Sequence, residues 1–218
     1  MKKLTQTFKI ILIAVFTAIL VSCASTYDYT GFRESRPRSI LVMPPANQSL
    51  EIAAPMTYLS TSVYPLAESG YYVIPVAISE EMFRQNGVTV AEEAHAIPFD
   101  KLHDIFGADA ALYITVTRFG VSYRLTSSVT EAEANVRLVD LKTGTEIWSG
   151  KARAEDSSGA VRASGLAGLL LSTAINQAVN VLSDKSHDVG RTANYRMLTA
   201  GSTDGMLYGP YHPKFGTD

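Results

Sequence analysis

The first chemistry that the sequence suggests belongs to a single thiol, that of Cys23. The chain contains one cysteine, so no intramolecular disulfide can use this thiol. Three lysines lie within residues 1–9, and residues 10–21 are apolar apart from Thr17. A helix needs about 20 residues to cross a hydrocarbon layer of ~30 Å, so this apolar run is too short to span a membrane. A basic start, a short apolar run and small residues after it are typical of a cleaved secretory signal.

The residues directly before the cysteine define the chemistry more closely. Leu20, Val21 and Ser22 precede Cys23, an order that resembles the bacterial lipobox. The resemblance implies that the thiol receives a diacylglycerol, that the chain is cut before Cys23, and that the new amine is often acylated as well, as by palmitate. Two or more acyl chains hold a protein on a membrane stably, at ~0.8 kcal/mol per buried methylene. The alternatives are an ordinary secretory peptide with a chance cysteine, or a buried core thiol.

The remaining reactive side chains do not form a second site by their spacing. His103 beside Asp104 is typical of a solvated helix surface, and the acidic pairs at 80–81 and 92–93 are typical of charges at helix starts. The sequence has no H-E-x-x-H, no G-x-S-x-G and no phosphate-binding glycine loop. The sequence therefore predicts a protein that is not an enzyme and that has no catalytic residue, cofactor or metal. None of the four histidines forms a metal-ligand pair at helical or finger spacing; they are His95, His103, His187 and His212.

The charge of the chain argues against one class of partner. The full chain has a net charge of −2, and removal of residues 1–22, which hold three lysines and no acid, makes it three units more negative. A mildly acidic chain does not favour nucleic acid or a polybasic grip on anionic lipid. The expected partners are membrane lipid, through an acylated Cys23, and an envelope protein or a second copy.

The chain divides by composition into four segments. Residues 1–22 are the signal peptide, and 23–38 are the lipidated cysteine with a flexible tether. Residues 39–185 form the domain, and 186–218 are a turn-rich tail whose apolar groups should pack partly on the domain. The part of the tether after the cysteine, if extended, would reach about 50 Å and let the body stand clear of the lipid.

The residue after the cysteine bears on localisation. Ala24 is not the acidic residue associated with inner-membrane retention in enteric bacteria. By that analogy we expect an outer-membrane protein whose body faces the periplasm, with exposure at the cell surface as the alternative.

The first half of the domain predicts alternating strands and helices. Short aliphatic runs at 39–43 and 71–76 predict buried strands. Helical spacing over 54–70 predicts a helix, in which Pro65 should introduce a kink or a break. Ser79 is expected to cap a further helix, and residues 98–107 predict a short one that ends at its terminal glycine.

The second half predicts an antiparallel meander. The period-two alternation changes parity near 118–120, which predicts a bulge or bend, and Gly144 suits the tight turn of a hairpin. Trp148 is expected in the core, on the same face as Gly150, Ala152 and Ala154. The fold class is therefore α/β, a single domain with a mixed sheet, an antiparallel meander and helices packed mainly on one face.

Two features suggest binding. The turn at 44–49, "PPANQS", follows the first strand, and ligands in open α/β sheets often bind at such strand ends. A plain turn is the preferred interpretation. Residues 164–182 predict an amphipathic helix with a wide apolar stripe, which suits either the core or a partner.

The order of these segments resembles a known family. The segments "SILVMPP", "GADAALYITVTRFGVSYRLTSSV", "LVDLKTGTEIWSG" and "GLLLSTAINQAVNVLSD" are similar to bacterial lipoproteins of the neisserial genome-derived vaccine antigen type. The hairpin is the most specific of them, and similar hairpins occur in the curli-secretion lipoprotein and in the amino-terminal domain of the Tol-system β-propeller protein.

The resemblance implies an α/β sandwich anchored in the outer membrane. It transfers one functional residue, Cys23. We expect a non-enzymatic binding or scaffold component of an envelope or secretion assembly. The alternatives are a periplasmic ligand-binding sensor or hydrolase that uses 44–49, and a surface-exposed antigen.

Overall fold

The computed structural model describes residues 27–123, 128–156, 185–202 and 205–218. Within these residues one mixed sheet of six strands is accompanied by six helices, which confirms the predicted fold class. The strands are β1 (Ser39–Val42), β2 (Ala46–Asn47), β3 (Tyr72–Val73), β4 (Ala110–Tyr123), β5 (Ser128–Asp140) and β6 (Glu146–Asp156). The helices are α1 (Thr30–Ser35), α2 (Ala54–Glu68), α3 (Val76–Gln85), α4 (Ala91–His95), α5 (Phe99–Phe106) and α6 (Lys185–Leu198).

The sheet has the order β3-β1-β4-β5-β6, and β2 pairs with β4 beyond the end of β1. Strand β1 is parallel to β3 and β4, whereas β4, β5 and β6 form the predicted antiparallel meander. The register of β4 against β5 shifts between Val116 and Arg118, at the edge of the range where the parity change predicted a bulge. The hairpin turn is also confirmed, with Gly144 at φ +71°.

One face of the sheet carries the larger core. Leu112 and Ile114 of β4, Leu138 of β5 and Trp148 of β6 are fully buried there, so the core assignment of the tryptophan is confirmed. Helices α2 and α6 pack together over this face, and α1 contacts β6. The alternation of apolar and polar residues along the strands places their apolar side chains on this face.

The other face is covered only in part. The short helices α3, α4 and α5 bury a second cluster against the part of the sheet that includes β1, with Leu41, Phe83, Leu102 and Val139 among its members. Beyond this cluster the meander turns a polar face outward, as antiparallel sheets commonly do.

Two local expectations about helices in the first half have different outcomes. Of the kink or break expected at Pro65, the break does not occur, because helix α2 continues through Pro65 to Glu68 with the proline ring buried. Helix α3 begins at Val76, directly after Pro75, so Ser79 lies inside the helix and donates a hydrogen bond to the carbonyl of Val76 (3.1 Å) instead of capping it. The predicted stop of α5 is confirmed, because its C-cap, Gly107, is left-handed.

Residues 186–218, assigned from sequence to a turn-rich tail, contain most of α6. Its residues Val189, Ala193 and Leu198 belong to the larger core, as does Met206 further along. The amphipathic helix predicted at 164–182 lies outside the described residues. In the part of the chain that the structure describes, no helix has the length and hydrophobicity that a membrane crossing requires.

The tether is shorter than the sequence predicted. Residues 27–38 lie on the domain, with α1 among them and Phe32 at 3% exposure in the larger core. The assignment of this stretch to a free linker is therefore corrected. The residues of this stretch that pack on the larger core are aromatic: Tyr27, Tyr29 and Phe32.

Candidate functional site

The predicted lipidation site, Cys23, lies outside the described residues, but the structure shows where the chain after it joins the domain. The hydroxyl oxygen of Tyr27 accepts a hydrogen bond from the backbone N–H of Ser149 in β6 (2.7 Å). The rings of Tyr27 and Tyr29 lie 4.8 Å apart, and the Tyr29 hydroxyl donates to the carbonyl of Gly205 (2.5 Å). Tyr27, the first residue that the structure describes, is therefore already packed on the body of the protein.

Helix α1 completes this attachment. Phe32 is buried in the larger core, and Gly31 lies against Ile147 of β6. Ser35 donates a hydrogen bond to the carboxylate of Asp140, the last residue of β5. The N-terminal segment thus covers part of the outer edge of β6, where an uncovered strand would offer unpaired backbone groups to other chains.

Two carboxylates fix the end of the sheet next to α1. Asp109 accepts hydrogen bonds from the backbone N–H of Arg38 (3.0 Å) and from the ammonium of Lys142 (3.0 Å). Asp140 accepts from the backbone N–H groups of Lys142 (2.9 Å) and Thr143 (2.8 Å). Partial burial by itself would raise the pKa of both carboxyl groups, but these hydrogen bonds outweigh it and lower both pKa values.

A shallow groove of about 520 Å³ lies on the polar face of the meander. Its central rows follow the strand register, which places Tyr113, Arg137 and Ser149 side by side across three strands. Asn135 and Lys151 continue the groove in the next row. Helix α4 contributes His95 at its margin.

The floor of the groove holds a polar group without a partner. Tyr113 is 2% exposed, and its hydroxyl makes no hydrogen bond to any residue that the structure describes. The guanidinium of Arg137 lies 4.5 Å from the centre of the Tyr113 ring. This contact holds the N–H groups of Arg137 at the surface. Leaving a buried hydroxyl unpaired costs roughly 1–3 kcal/mol. The oxygen has essentially no accessible surface, so a bound group could reach it only if the side chains around it moved.

His95 is part of the groove wall, and two contacts hold its ring in place. Its ring meets the Tyr113 ring edge-on at 5.0 Å, and its Nε2–H donates to the carbonyl of Pro44 (2.8 Å). Burial lowers the pKa of His95, which favours the neutral ring. Nδ1 is then an acceptor.

The outer part of the same face is an ion-pair network centred on Glu133. Its carboxylate lies 2.8 Å from the ammonium of Lys151 and 3.8 Å from the guanidinium of Arg118. The hydrogen bond from Lys151 is the main reason that the pKa of Glu133 is lowered. These charges lie at the end of the face away from Tyr113. Arg137 makes no ion pair with any described residue.

The segment 44–49, interpreted from the sequence as a plain turn, contains the short strand β2 and a turn that follows it. The Asn47 side chain accepts from the backbone N–H and the hydroxyl of Ser49 (3.0 and 2.7 Å) and donates to the carbonyl of Glu51 (2.9 Å). Its polar groups are therefore used within the turn. A neighbouring hollow of about 440 Å³ touches Pro44, but two of the side chains that line it, Glu81 and Arg84, pair with each other at 2.7 Å.

Two of the other histidines, His103 and His212, have structural contacts. His103 donates from Nδ1 to the carbonyl of Ala108 (2.8 Å), beside the end of α5. The His212 ring stacks on Tyr208 at 4.3 Å. Among the described residues, no group of histidine, cysteine and carboxylate side chains could hold a metal ion.

Sequence reasoning did not identify the groove. Tyr113 and Arg137 are distant in sequence and meet only through the register of β4 and β5. The one available signal was the period-two alternation within each strand. It places Tyr113 and Thr115 on the polar face of β4, and Asn135 and Arg137 on the polar face of β5.

Comparison with known proteins decides the family. The family model described as "Putative lipoprotein GNA1162-like" matches residues 27–211. The chain belongs to this family. A family relative, "Putative lipoprotein NMB1124/NMB1162" of Neisseria meningitidis serogroup B, is 46% identical over 198 residues, which cover 91% of this chain and 92% of the relative. The resemblance inferred from the sequence is therefore confirmed.

The chain is also similar to solved structures, one of which is of a family member. The crystal structure of lipoprotein GNA1162 from Neisseria meningitidis is 49% identical, with a TM-score of 0.54, over 66% of this chain and 99% of that one. The C-terminal domain of LpoB from Salmonella enterica is 17% identical, with a TM-score of 0.40, over 64% of this chain and 92% of that one. The family name describes a lipoprotein and no activity.

Proposed function

We propose that this family member is held in the outer membrane by acylated Cys23, with its body facing the periplasm, as a non-enzymatic binding or scaffold component of an envelope or secretion assembly. The groove on the open sheet face carries the proposal. It combines the exposed guanidinium of Arg137, which makes no ion pair with any described residue, with the exposed amide of Asn135. Such a surface suits recognition of a partner, because a guanidinium and an amide donate hydrogen bonds but do not transfer protons near neutral pH.

The groove also defines the chemistry of the partner. Arg137 and Asn135 offer exposed hydrogen-bond donors, and a planar guanidinium pairs well with a carboxylate. A protein segment with an exposed acidic side chain is the partner that these donors fit, and a second copy of the chain is an alternative source of it.

A photo-crosslinking residue at Asn135 tests the groove in intact cells. Asn135 is exposed, so the replacement should leave the fold intact. We expect one discrete adduct, and we expect Arg137→Glu in the same chain to abolish it, because a negative side chain would repel the carboxylate. The matched control places the crosslinker at Glu68, exposed at the end of α2. Equal adducts from both positions, or an adduct indifferent to Arg137→Glu, would refute the proposed partner surface.

The anchor is tested separately. Mass spectrometry of the mature N-terminus should find a diacylglyceryl thioether on Cys23, and the Cys23→Ala variant should leave the membrane fraction. Protease shaving of intact cells then distinguishes the two orientations, since a body inside the outer membrane is protected and one on the cell surface is cut.

A further inference from the structure

Two side chains of opposite charge in the groove have no ion-pair partner among the described residues. Arg137 of β5 and Glu146 of β6 both line the groove, and both are exposed. The ion pairs of this sheet face lie further along the strands and use neither side chain. One positive and one negative group are therefore available in the same groove.

The strand register keeps these two charges apart. The guanidinium of Arg137 lies over the Tyr113 ring of β4, 4.5 Å from its centre, and so leans away from β6. Glu146 pairs with Val139, which is two residues from Arg137 along β5 toward the hairpin turn. Two strand spacings of about 4.8 Å and two residues of ~3.3 Å each place the two groups on the order of 10 Å apart. Arg137 and Glu146 are therefore too distant to pair with each other.

We infer that the groove recognises a dipolar segment, which carries an acidic side chain for Arg137 and a basic side chain for Glu146. The inference rests on the proposed partner surface and adds a second contact to it, because the proposed function needs the acidic side chain alone. An extended segment presents residues i and i+2 on one face about 7 Å apart. The lengths of a glutamate and a lysine side chain extend that spacing to the distance between the two groups in the groove.

The other polar groups of the groove do not compete for this role. The ammonium of Lys151 lies 2.8 Å from Glu133 and is neutralised there. The His95 ring donates to the carbonyl of Pro44, and its burial favours the neutral form. Ser149, which lines the groove in the row of Arg137, is uncharged. The charges of Arg137 and Glu146 thus determine which segment binds.

The substitution Glu146→Lys distinguishes a dipolar partner from an acidic one. If the partner presents only an acidic side chain, the change removes a repelling carboxylate and adds an attracting ammonium, so binding should strengthen. If the partner is dipolar, the new ammonium faces its basic side chain, so binding should weaken. The two cases have opposite signs. Glu146 is exposed and has no described ion pair, so the fold should be retained, which urea denaturation checks.

The photo-crosslinker at Asn135 measures this effect in intact cells. We expect Glu146→Lys to reduce the adduct, as Arg137→Glu does. The matched control is Glu68→Lys, the same change of charge at an exposed glutamate of α2 outside the groove, which should leave the adduct unchanged. Equal losses from the two lysine variants would overturn the inference, because the effect would then be one of net charge.

The same experiment separates the inference from the proposed function. An adduct that is unchanged or more abundant in Glu146→Lys, while Arg137→Glu still abolishes it, overturns the dipolar partner and leaves the acidic partner in place. An adduct that is indifferent to both changes refutes the partner surface and the inference together.

Short peptides test the same contact with purified protein. The probes are the acetylated and amidated peptide Thr-Glu-Ser-Lys-Thr and two versions in which glutamine replaces either the glutamate or the lysine. In NMR titrations of the unlipidated Cys23→Ala protein, the dipolar peptide should bind roughly two- to fivefold more tightly than either version, as expected for one exposed ion pair. Glu146→Gln should remove its advantage over the peptide without lysine. Equal affinities of the three peptides, or binding by none of them, would overturn the inference.

Discussion

The attachment of α1 can be broken by a single substitution, Phe32→Ala. The Phe32 side chain is 3% exposed in the larger core. Truncation of a buried phenylalanine to alanine costs about 3–5 kcal/mol, from lost apolar burial and the cavity that remains. We expect the low end, about 3 kcal/mol, because Phe32 also borders a hollow of about 390 Å³ that Arg33 and Phe215 line, so neighbouring side chains can move into the space it leaves.

The loss should appear at a defined backbone group. The N–H of Ser149 donates to Tyr27, so it is protected from solvent exchange only while the N-terminal segment is docked. A destabilisation of about 3 kcal/mol makes the undocked state roughly a hundredfold more populated, since 1.4 kcal/mol is a factor of ten. Hydrogen–deuterium exchange of the unlipidated Cys23→Ala protein should show faster exchange at Ser149 by about that factor.

The matched control is Phe215→Ala. Phe215 is 43% exposed, so its truncation should change the free energy of unfolding by no more than about 0.5 kcal/mol. Urea denaturation measures both variants. If Phe32→Ala cost less than about 1 kcal/mol and left exchange at Ser149 unchanged, residues 27–38 would not be part of the folded body.

Two further predictions concern Asp109, directly before β4, and the packing of glycines in the N-terminal and C-terminal segments. Asp109→Asn should cost about 1–3 kcal/mol at pH 7, because an amide has one acceptor oxygen and must turn its NH₂ toward either Lys142 or backbone N–H groups. The folded-state pKa of Asp109 is lowered, so its contribution to stability is complete above the unfolded-state pKa of about 4 and is lost as the pH falls through the folded-state value. The unfolding free energy of the wild type should therefore fall more steeply in acid than that of the variant, and parallel pH profiles would contradict this. Gly209→Ala should destabilise the protein, because a Cβ there would lie 2.3 Å from the backbone oxygen of Gly70, whereas Gly31→Ala, with its nearest atom at 3.9 Å, should be neutral or slightly stabilising. Equal melting temperatures for the two alanine variants would show that the C-terminal segment does not pack as described.

Features set by neighbours in sequence were predictable. The alternation through Leu112 and Ile114 gave the buried face of β4, and the parity change located the bulge within a few residues, because a one-residue insertion reverses the faces of a strand. Gly144 and Gly107 marked a turn and a helix end, since both adopt positive φ.

Features that depend on distant partners were not predictable. Helix α6 resembled a turn-rich tail because Gly190 interrupts it, yet a Cβ at this position would lie 2.7 Å from the ring of Phe119 and 2.9 Å from Thr57. The glycine is explained by close packing against two other elements rather than by a turn. Similarly, Pro65 lies inside a helix because that helix is buried on the sheet, and burial outweighs the lost hydrogen bond.

The sequence alone predicted an export signal with a lipobox-like cysteine, an α/β body, and a meander with one apolar and one polar face. Each of these follows from spacing along the chain, and spacing is local. The tertiary structure alone decided that residues 27–38 pack on the domain beside β6 and that Tyr113 and Arg137 meet in a groove. These depend on contacts between segments far apart in sequence, whose free energy exists only once the sheet has formed.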